Sequence, residues 1–190
     1  GNDFATLPDY PAEIRAPQGT TYGVSSYQIQ FAAYDVYTPG DIPDVLVAFN
    51  PAALKVNLTS LKPGGTIIAN EDEFTEQNLR KVGFSSNPLE DDSLGSFRVY
   101  RVPITRLTIE SLKDEPVGHK DKERCRNFFA LGMMCWLFSR PLEPSIEFLK
   151  KRFATKVQVM EANIKALKAG YNICDTMEIF PIHYQLPPAK

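Results

Sequence analysis

The sequence has few of the residues that build disulfide frameworks and metal sites. Its three cysteines, Cys125, Cys135 and Cys174, are an odd number and show neither a CxxC motif nor a Cys/His metal spacing. This pattern argues against a disulfide framework or a zinc site. It predicts buried thiols packed as small apolar side chains, in a reducing cytoplasmic compartment.

Long apolar runs and an excess of one charge are also missing. The most apolar run, residues 128–138, is much shorter than the roughly 20 residues of a membrane-spanning helix. We expect a buried core helix there, and no membrane partner. The 21 basic and 23 acidic residues give no broad positive surface, so we expect no nucleic-acid partner. His119 and His183 form no catalytic pair, and we expect no catalytic residue and no metal site on this chain.

The first half of the chain carries an α/β pattern. Two continuously apolar runs, 44–50 and 66–72, flank a helical segment at 51–65 that closes with Pro63-Gly64-Gly65. Continuous apolar runs are typical of strands covered on both faces, so we predict a βαβ crossover in a parallel sheet. Further elements predicted here are an alternating edge or antiparallel strand from Tyr27 to Ala33, a helix at 74–83 and a strand at 97–105.

The second half is predicted to be helical. Apolar periodicity places helices at 120–139, 143–153 and 156–170, the last stopped by Gly170. The final residues contain three prolines and predict a linker or docking tail. We therefore divide the chain into a domain at 1–180 and a tail at 181–190.

The start of a doubly wound sheet is not visible. Such a sheet opens with a strand, a glycine-rich turn and a helix that holds phosphate, yet neither GxGxxG nor GxxxxGK[ST] occurs here. The chain instead begins with Gly1-Asn2-Asp3 and continues into "FATLPDYPAEIRAP", which we interpret as a second strand and its loop. The predicted fold is a Rossmann-like, three-layer α/β domain with a mostly parallel sheet, a missing first βα unit and a C-terminal helical segment.

Five blocks of the sequence resemble, in order, the gamma domain of 2-oxoacid:ferredoxin (acceptor) oxidoreductases. The resemblance is strongest to the type fused to the front of the alpha subunit, as in 2-oxoglutarate:ferredoxin oxidoreductases, and it covers residues 1–180. The blocks are "DYPAEIRAPQGTTYGVSSYQIQF", "DVLVAFNPAAL", "LKPGGTIIAN", "RCRNFFALGMMCWLFSRPLEPSIEFL" and "EANIKALKAGYNICDTMEI".

The resemblance implies a role in the oxidative decarboxylation of a 2-oxoacid with coenzyme A. In that family thiamine diphosphate with Mg, iron–sulfur clusters and ferredoxin serve the reaction. None of these cofactors can be placed on this chain, because the cysteine spacing does not suit a cluster and no diphosphate motif is visible. The implied partners are the rest of the alpha subunit, the beta subunit, coenzyme A and, through the complex, ferredoxin. The implied contribution of the gamma domain is to help form the coenzyme A site and the subunit interfaces.

Five residues are candidates for contact with coenzyme A. Arg15 lies in a loop bounded by proline and glycine, and its guanidinium suits a carboxylate or a phosphate; an ordinary salt bridge is the alternative. Gly19 and Thr20 could bring N–H and hydroxyl groups to a phosphate, or could form a plain turn. Asn50 and Asn70 each lie at the end of a predicted strand, where open α/β sheets bind ligands, but each could instead cap a helix.

Two other interpretations stay open at this point. The "DVLVAFN" and "LKPGGTIIAN" runs also suit a stand-alone Rossmann-like methyltransferase-type enzyme, although its nucleotide loop is missing. A purely structural interaction module would differ from the gamma domain only in making no contact with coenzyme A.

Overall fold

The computed structural model divides the chain into two compact units, one running to Val102 and one covering Pro103–Leu186. The structure describes residues 3–9, 26–32, 34–38, 40, 42–181 and 183–185, without the side chains of 3–9 and 31.

The first unit contains a three-stranded parallel sheet in the order β3-β4-β5. The strands are β3 (Val45–Ala48), β4 (Thr66–Asn70) and β5 (Arg98–Val102). Every residue of the central strand β4 is buried, which explains the apolar run 67–69 at its centre, between Thr66 and Asn70. The predicted α/β class and the parallel βαβ crossover are confirmed.

The crossover helix α1 (Pro51–Asn57) is shorter than the predicted segment and passes into a single 3₁₀ turn at Leu58–Ser60. A tight turn then leads into β4: the Gly65 N–H donates to Lys62 O at 2.8 Å, and Gly64 adopts a φ of 73°. A positive φ strains any residue with a Cβ, so this position requires glycine. Helix α2 (Glu76–Lys81) follows β4 along the chain. The buried residues that form the core of this unit are apolar: Ala48, Leu54, Leu61, Ile67, Ala69, Phe74, Leu79 and Leu94.

A separate antiparallel pair precedes the parallel sheet. It joins β1 (Asp3–Asp9) to β2 (Ser26–Ala32), with Thr6 opposite Ile29 in the register. The antiparallel prediction for β2 is confirmed. In the part of the chain that the structure describes, β1 pairs with β2 and not with the parallel sheet, which differs from the prediction that the opening segment is the second strand of that sheet.

The second unit is helical and begins with a helix that the sequence analysis missed. The strand predicted at 97–105 ends at Val102, and α3 (Ile104–Ser111) follows directly after Pro103. Ile104, Thr108 and Leu112 are all fully buried, at the i, i+4, i+8 spacing of one helix face. The Thr108 hydroxyl donates to Ile104 O at 2.6 Å, so the polar group of this buried threonine is paired inside its own helix.

The remaining helices follow the prediction with changed boundaries. The helix predicted at 120–139 is two, α4 (His119–Arg124) and α5 (Arg126–Leu137), separated by a turn at Cys125. Next come α6 (Glu143–Arg152) and α7 (Val157–Thr176).

The predicted stop at Gly170 is wrong, because α7 continues to Thr176. Gly170 lies in the helix where α7 meets α5: a Cβ there would overlap the carbonyl oxygen of Phe129. A Cβ at Gly132 of α5 would likewise overlap the carbonyl oxygen of Leu167 in α7. The two glycines therefore allow a close backbone approach rather than a helix end.

The end of the described chain packs against α5. Trp136 lies with its ring centroid 6.0 Å from Phe180 and 3.5 Å from His183. Phe138 stacks on Tyr184 at 5.2 Å, and the Tyr184 N–H donates to Leu137 O at 2.8 Å. The described part of the proline-containing tail is therefore docked on the helical unit.

Candidate functional site

The carboxyl edge of the parallel sheet brings two of the predicted site residues to one end of neighbouring strands. Ala48 of β3 pairs with Ala69 of β4, so both strands end at nearly the same level. Asn70 is the last residue of β4, and Asn50 lies two residues beyond the end of β3. Open parallel sheets bind ligands along this edge.

Asn50 caps helix α1. Its backbone is extended, and its Oδ1 accepts a hydrogen bond from the Ala53 N–H at 2.8 Å. Pro51 follows at the first helical position, where its missing N–H costs nothing. The capping alternative for Asn50 is confirmed, and its contact with a ligand stays a prediction.

Replacing Asn50 with alanine is expected to destabilise the first unit by about 1 kcal/mol, because the Ala53 N–H loses its acceptor. Asn50→Ser is the matched control, since a serine hydroxyl can accept the same hydrogen bond and should restore most of the loss. Thermal unfolding of the three proteins measures the difference. Equal unfolding temperatures for wild type and Asn50→Ala would show that the cap contributes nothing.

Asn70 differs from Asn50 in its surroundings. It is fully buried at the end of the central strand, in register with Val102 of β5. The 3₁₀ turn that follows, Glu71–Glu73, receives no capping hydrogen bond from the Asn70 side chain. The capping alternative is therefore wrong for Asn70. A buried amide offers two donors and an acceptor, a suitable group for fixing the orientation of a polar neighbour at this edge.

The turn beside Asn70 consists of three acidic residues, Glu71, Asp72 and Glu73, all half-buried. Carboxylates at this position oppose the approach of a phosphate. The described edge thus supplies hydrogen-bonding and acidic groups. A phosphate contact there would depend on a cation from another segment. The predicted cation Arg15, together with Gly19 and Thr20, lies outside the described residues.

The cysteines have the properties of packed apolar side chains. All three are free and buried, as predicted. Burial, with a smaller contribution from the Asp121 charge, raises the pKa of Cys125 to about 11. Burial raises the pKa of Cys174 to about 12, and it raises that of Cys135 against an opposing effect of Arg140. None of these thiols is poised to act as a nucleophile at neutral pH.

A pH dependence of stability follows from these thiols. Their folded-state pKa values lie above the unfolded value of 9.0, so their stabilising effect is complete below pH 9. It is lost as the pH rises toward the folded-state values. Between pH 8 and pH 10 we expect each of Cys125 and Cys174 to remove about 1 kcal/mol of unfolding free energy. Urea unfolding at both pH values, compared with the Cys125→Ala/Cys174→Ala variant, measures this loss. A variant as pH-sensitive as the wild type would contradict it.

The described ranges contain no cluster of three or more His, Cys, Asp or Glu side chains that could hold a metal ion. Among the same residues, no helix has both the length and the apolar character needed to cross a bilayer.

Comparison with known proteins decides the family. Residues 1–173 match the family described as "Pyruvate ferredoxin/flavodoxin oxidoreductase". The chain belongs to this family. It is also 52% identical, over 189 residues, to the "2-oxoglutarate oxidoreductase subunit KorA" of Mycobacterium tuberculosis. The match covers all of this chain and 29% of that relative, so the chain spans less than a third of the curated protein.

Solved structures support the fold. The 2-oxoglutarate:ferredoxin oxidoreductase from Magnetococcus marinus, solved with 2-oxoglutarate, coenzyme A and succinyl-CoA bound, matches the whole chain with a TM-score of 0.67 at 22% identity. The match covers 28% of that chain. The gamma subunit of a keto/oxoacid ferredoxin oxidoreductase from Geobacter sulfurreducens matches 92% of this chain and 82% of its own, with a TM-score of 0.55 at 18% identity. These likenesses agree with the predicted Rossmann-like α/β class.

Proposed function

We propose that this chain is the gamma domain of a 2-oxoacid:ferredoxin oxidoreductase that acts on 2-oxoglutarate. The observation that carries the proposal is the 52% identity to a 2-oxoglutarate oxidoreductase subunit across the whole chain. The reaction is the oxidative decarboxylation of the 2-oxoacid with coenzyme A, which yields an acyl-CoA, CO2 and reduced ferredoxin. The methyltransferase and purely structural alternatives gain no support from the family match.

The chain acts as one part of a larger subunit in this proposal. Residues 1–180 form the gamma domain, and residues 181–190 lead toward the thiamine-diphosphate-binding part of the alpha subunit. The beta subunit and ferredoxin complete the set of protein partners. The free, buried cysteines suit a cytoplasmic enzyme.

The redox cofactors belong to other parts of the complex. The three described cysteines do not fit an iron–sulfur cluster, because a cluster needs grouped thiolates and these thiols are buried with raised pKa values. We assign thiamine diphosphate, Mg and the iron–sulfur cluster to the remainder of the complex.

Contact with coenzyme A is the proposed contribution of this chain. Arg15 would bind a phosphate of coenzyme A through two parallel hydrogen bonds, and Gly19 and Thr20 would add N–H and hydroxyl donors. Asn50 and Asn70, at the carboxyl edge of the sheet, would orient the adjoining segment or the ligand itself. The carboxylates of Glu71–Glu73 make a cation such as Arg15 necessary for a phosphate near this edge.

The Arg15→Ala variant of the whole enzyme tests this contribution. Losing a bidentate contact to a phosphate is expected to raise the KM for coenzyme A about tenfold or more, with little change in the KM for 2-oxoglutarate. Arg98→Ala is the matched control, because Arg98 is an exposed arginine of the same unit. An unchanged KM for coenzyme A in Arg15→Ala would leave Arg15 a structural residue and remove the proposed contact.

A further inference from the structure

Strand β2 exposes two of its apolar side chains. Tyr27 and Ile29 expose 56% and 49% of their surface, whereas Gln28 and Gln30 between them are half-buried. The Gln28 Nε2 donates to Gly40 O at 2.5 Å, which holds the polar side of the strand against the segment that follows. A strand with one solvent-exposed face normally buries its apolar side chains. In β2 the apolar side chains Tyr27 and Ile29 are exposed and the polar ones between them are half-buried, which is the reverse of the usual arrangement.

Exposed apolar residues are concentrated around this strand. Of the nine large hydrophobic side chains that the described part of the chain exposes, five lie between residues 27 and 42. Among the described residues of that stretch, Asp35 alone carries a charge. We call these five side chains the β2 patch: Tyr27, Ile29, Tyr34, Tyr37 and Ile42.

The composition of the β2 patch is that of a permanent interface. Three of its members are tyrosines, and interface cores are rich in aromatic residues and poor in charge. Partners that meet by diffusion are steered by charge, whereas obligate contacts resemble a domain core cut in half. A two-stranded sheet is also marginally stable in water unless it packs against something. The patch therefore needs a partner surface that covers it permanently.

We propose that the β2 patch is the docking surface for the part of the same oxidoreductase subunit that lies outside these 190 residues. This inference rests on the proposed function. More than two thirds of the 52% identical subunit lies outside the aligned part, so a subunit of that kind holds ample chain to cover the patch. A segment of the same polypeptide stays tethered and needs no charge to find its place.

Hydroxyl-radical footprinting of the assembled enzyme tests the proposal. Tyr27 and Phe148 are aromatic side chains with nearly equal exposure in this chain, 56% and 55%. Each is compared with its own modification rate in the unfolded polypeptide. We expect the rate for Tyr27 to fall at least about tenfold, because an interface core excludes water, and the protection to persist on dilution. An unprotected Tyr27 overturns the proposal. Protection of Tyr27 that disappears when the assembly dissociates also overturns it, since a second copy or another subunit would then be the cover.

A pair of variants supplies a second readout in the full-length subunit. Tyr27→Thr/Ile29→Thr keeps residues that favour strands but removes the two exposed apolar side chains of β2. Val56→Thr is the control, at a similarly exposed apolar position of the same unit. Limited proteolysis within the first unit is expected to quicken about tenfold in the double variant alone, because undocking raises the population of open states. Equal cleavage of double variant and control overturns the proposal.

Footprinting needs no substrate, so its result is independent of the proposed activity. An enzyme without 2-oxoglutarate activity but with a protected Tyr27 would reject the function and keep the docking surface. An active enzyme with an unprotected Tyr27 would keep the function and reject the docking surface.

Discussion

Replacing Gly132 with alanine is expected to destabilise the helical unit by about 3 kcal/mol or more. A Cβ at Gly132 would overlap the Leu167 carbonyl oxygen and lie 2.8 Å from the backbone N of Tyr171. Both neighbours are backbone atoms of α7, which can move only if the two helices separate. Helix propensity alone predicts the opposite sign, since alanine is favoured over glycine inside a helix by about 1 kcal/mol.

The sign of the measured change therefore decides between the two effects. Gly118→Ala is the matched control, because a Cβ at Gly118 would make only an ordinary contact, 3.9 Å from an Asp121 side-chain oxygen. Chemical unfolding monitored by helix content measures both variants. A Gly132→Ala protein as stable as wild type would show that α5 and α7 are not held at this close approach. Gly170→Ala is expected to behave like Gly132→Ala, because its Cβ would overlap Phe129 O.

Replacing Trp136 with alanine is also expected to lower the free energy of unfolding strongly. Trp136→Ala is expected to cost about 3–5 kcal/mol, since the indole is buried and packs against both Phe180 and His183. The loss should also free the docked tail. Hydrogen exchange at the Tyr184 N–H, which donates to Leu137 O, reports this release directly.

An exposed aromatic residue provides the control for this variant. Phe148 leaves more than half of its surface in water, so Phe148→Ala should change the unfolding free energy by no more than about 0.5 kcal/mol. A Trp136→Ala protein whose unfolding free energy falls by less than about 1 kcal/mol, with unchanged hydrogen exchange at the Tyr184 N–H, would contradict the packing described for the tail.

The parallel sheet was predictable because its signals are local. The segments 44–50 and 66–72 each contain a continuous apolar stretch, at 45–49 and 67–69, and the cap at Asn50 with Pro51 behind it marks the start of α1. Strand β4 is buried along its whole length, and its three central residues, Ile67, Ile68 and Ala69, are apolar. The scarcity and spacing of cysteines likewise predicted free, buried thiols.

The errors arose where tertiary packing overrides a local signal. Gly170 resembles a helix stop, but it is required by the neighbouring backbone of α5. The Ile and Thr residues after Pro103 favour a strand by propensity, yet Ile104, Thr108 and Leu112 bury one helical face. The spacing of those three residues was the signal that could have identified α3.

The candidate site was predictable only in part. Asn50 and Asn70 were placed at the ends of strands, and the structure puts both at the carboxyl edge of the sheet. The sequence could not distinguish the cap at Asn50 from the buried amide at Asn70, because burial depends on β4 being the central strand. The acidic turn at Glu71–Glu73 looked like an ordinary extension of that strand end.

Acyl-CoA formation by the full-length subunit assembled with its partner is the direct assay of the proposed activity. We predict that 2-oxoglutarate and coenzyme A yield succinyl-CoA with stoichiometric reduction of ferredoxin, and that omitting coenzyme A stops acyl-CoA formation. We also predict a kcat/KM for 2-oxoglutarate at least about tenfold above that for pyruvate, a difference of roughly 1.4 kcal/mol in transition-state binding. An assembled enzyme with all its cofactors that oxidises pyruvate equally well, or forms no acyl-CoA from 2-oxoglutarate, would contradict the proposed function.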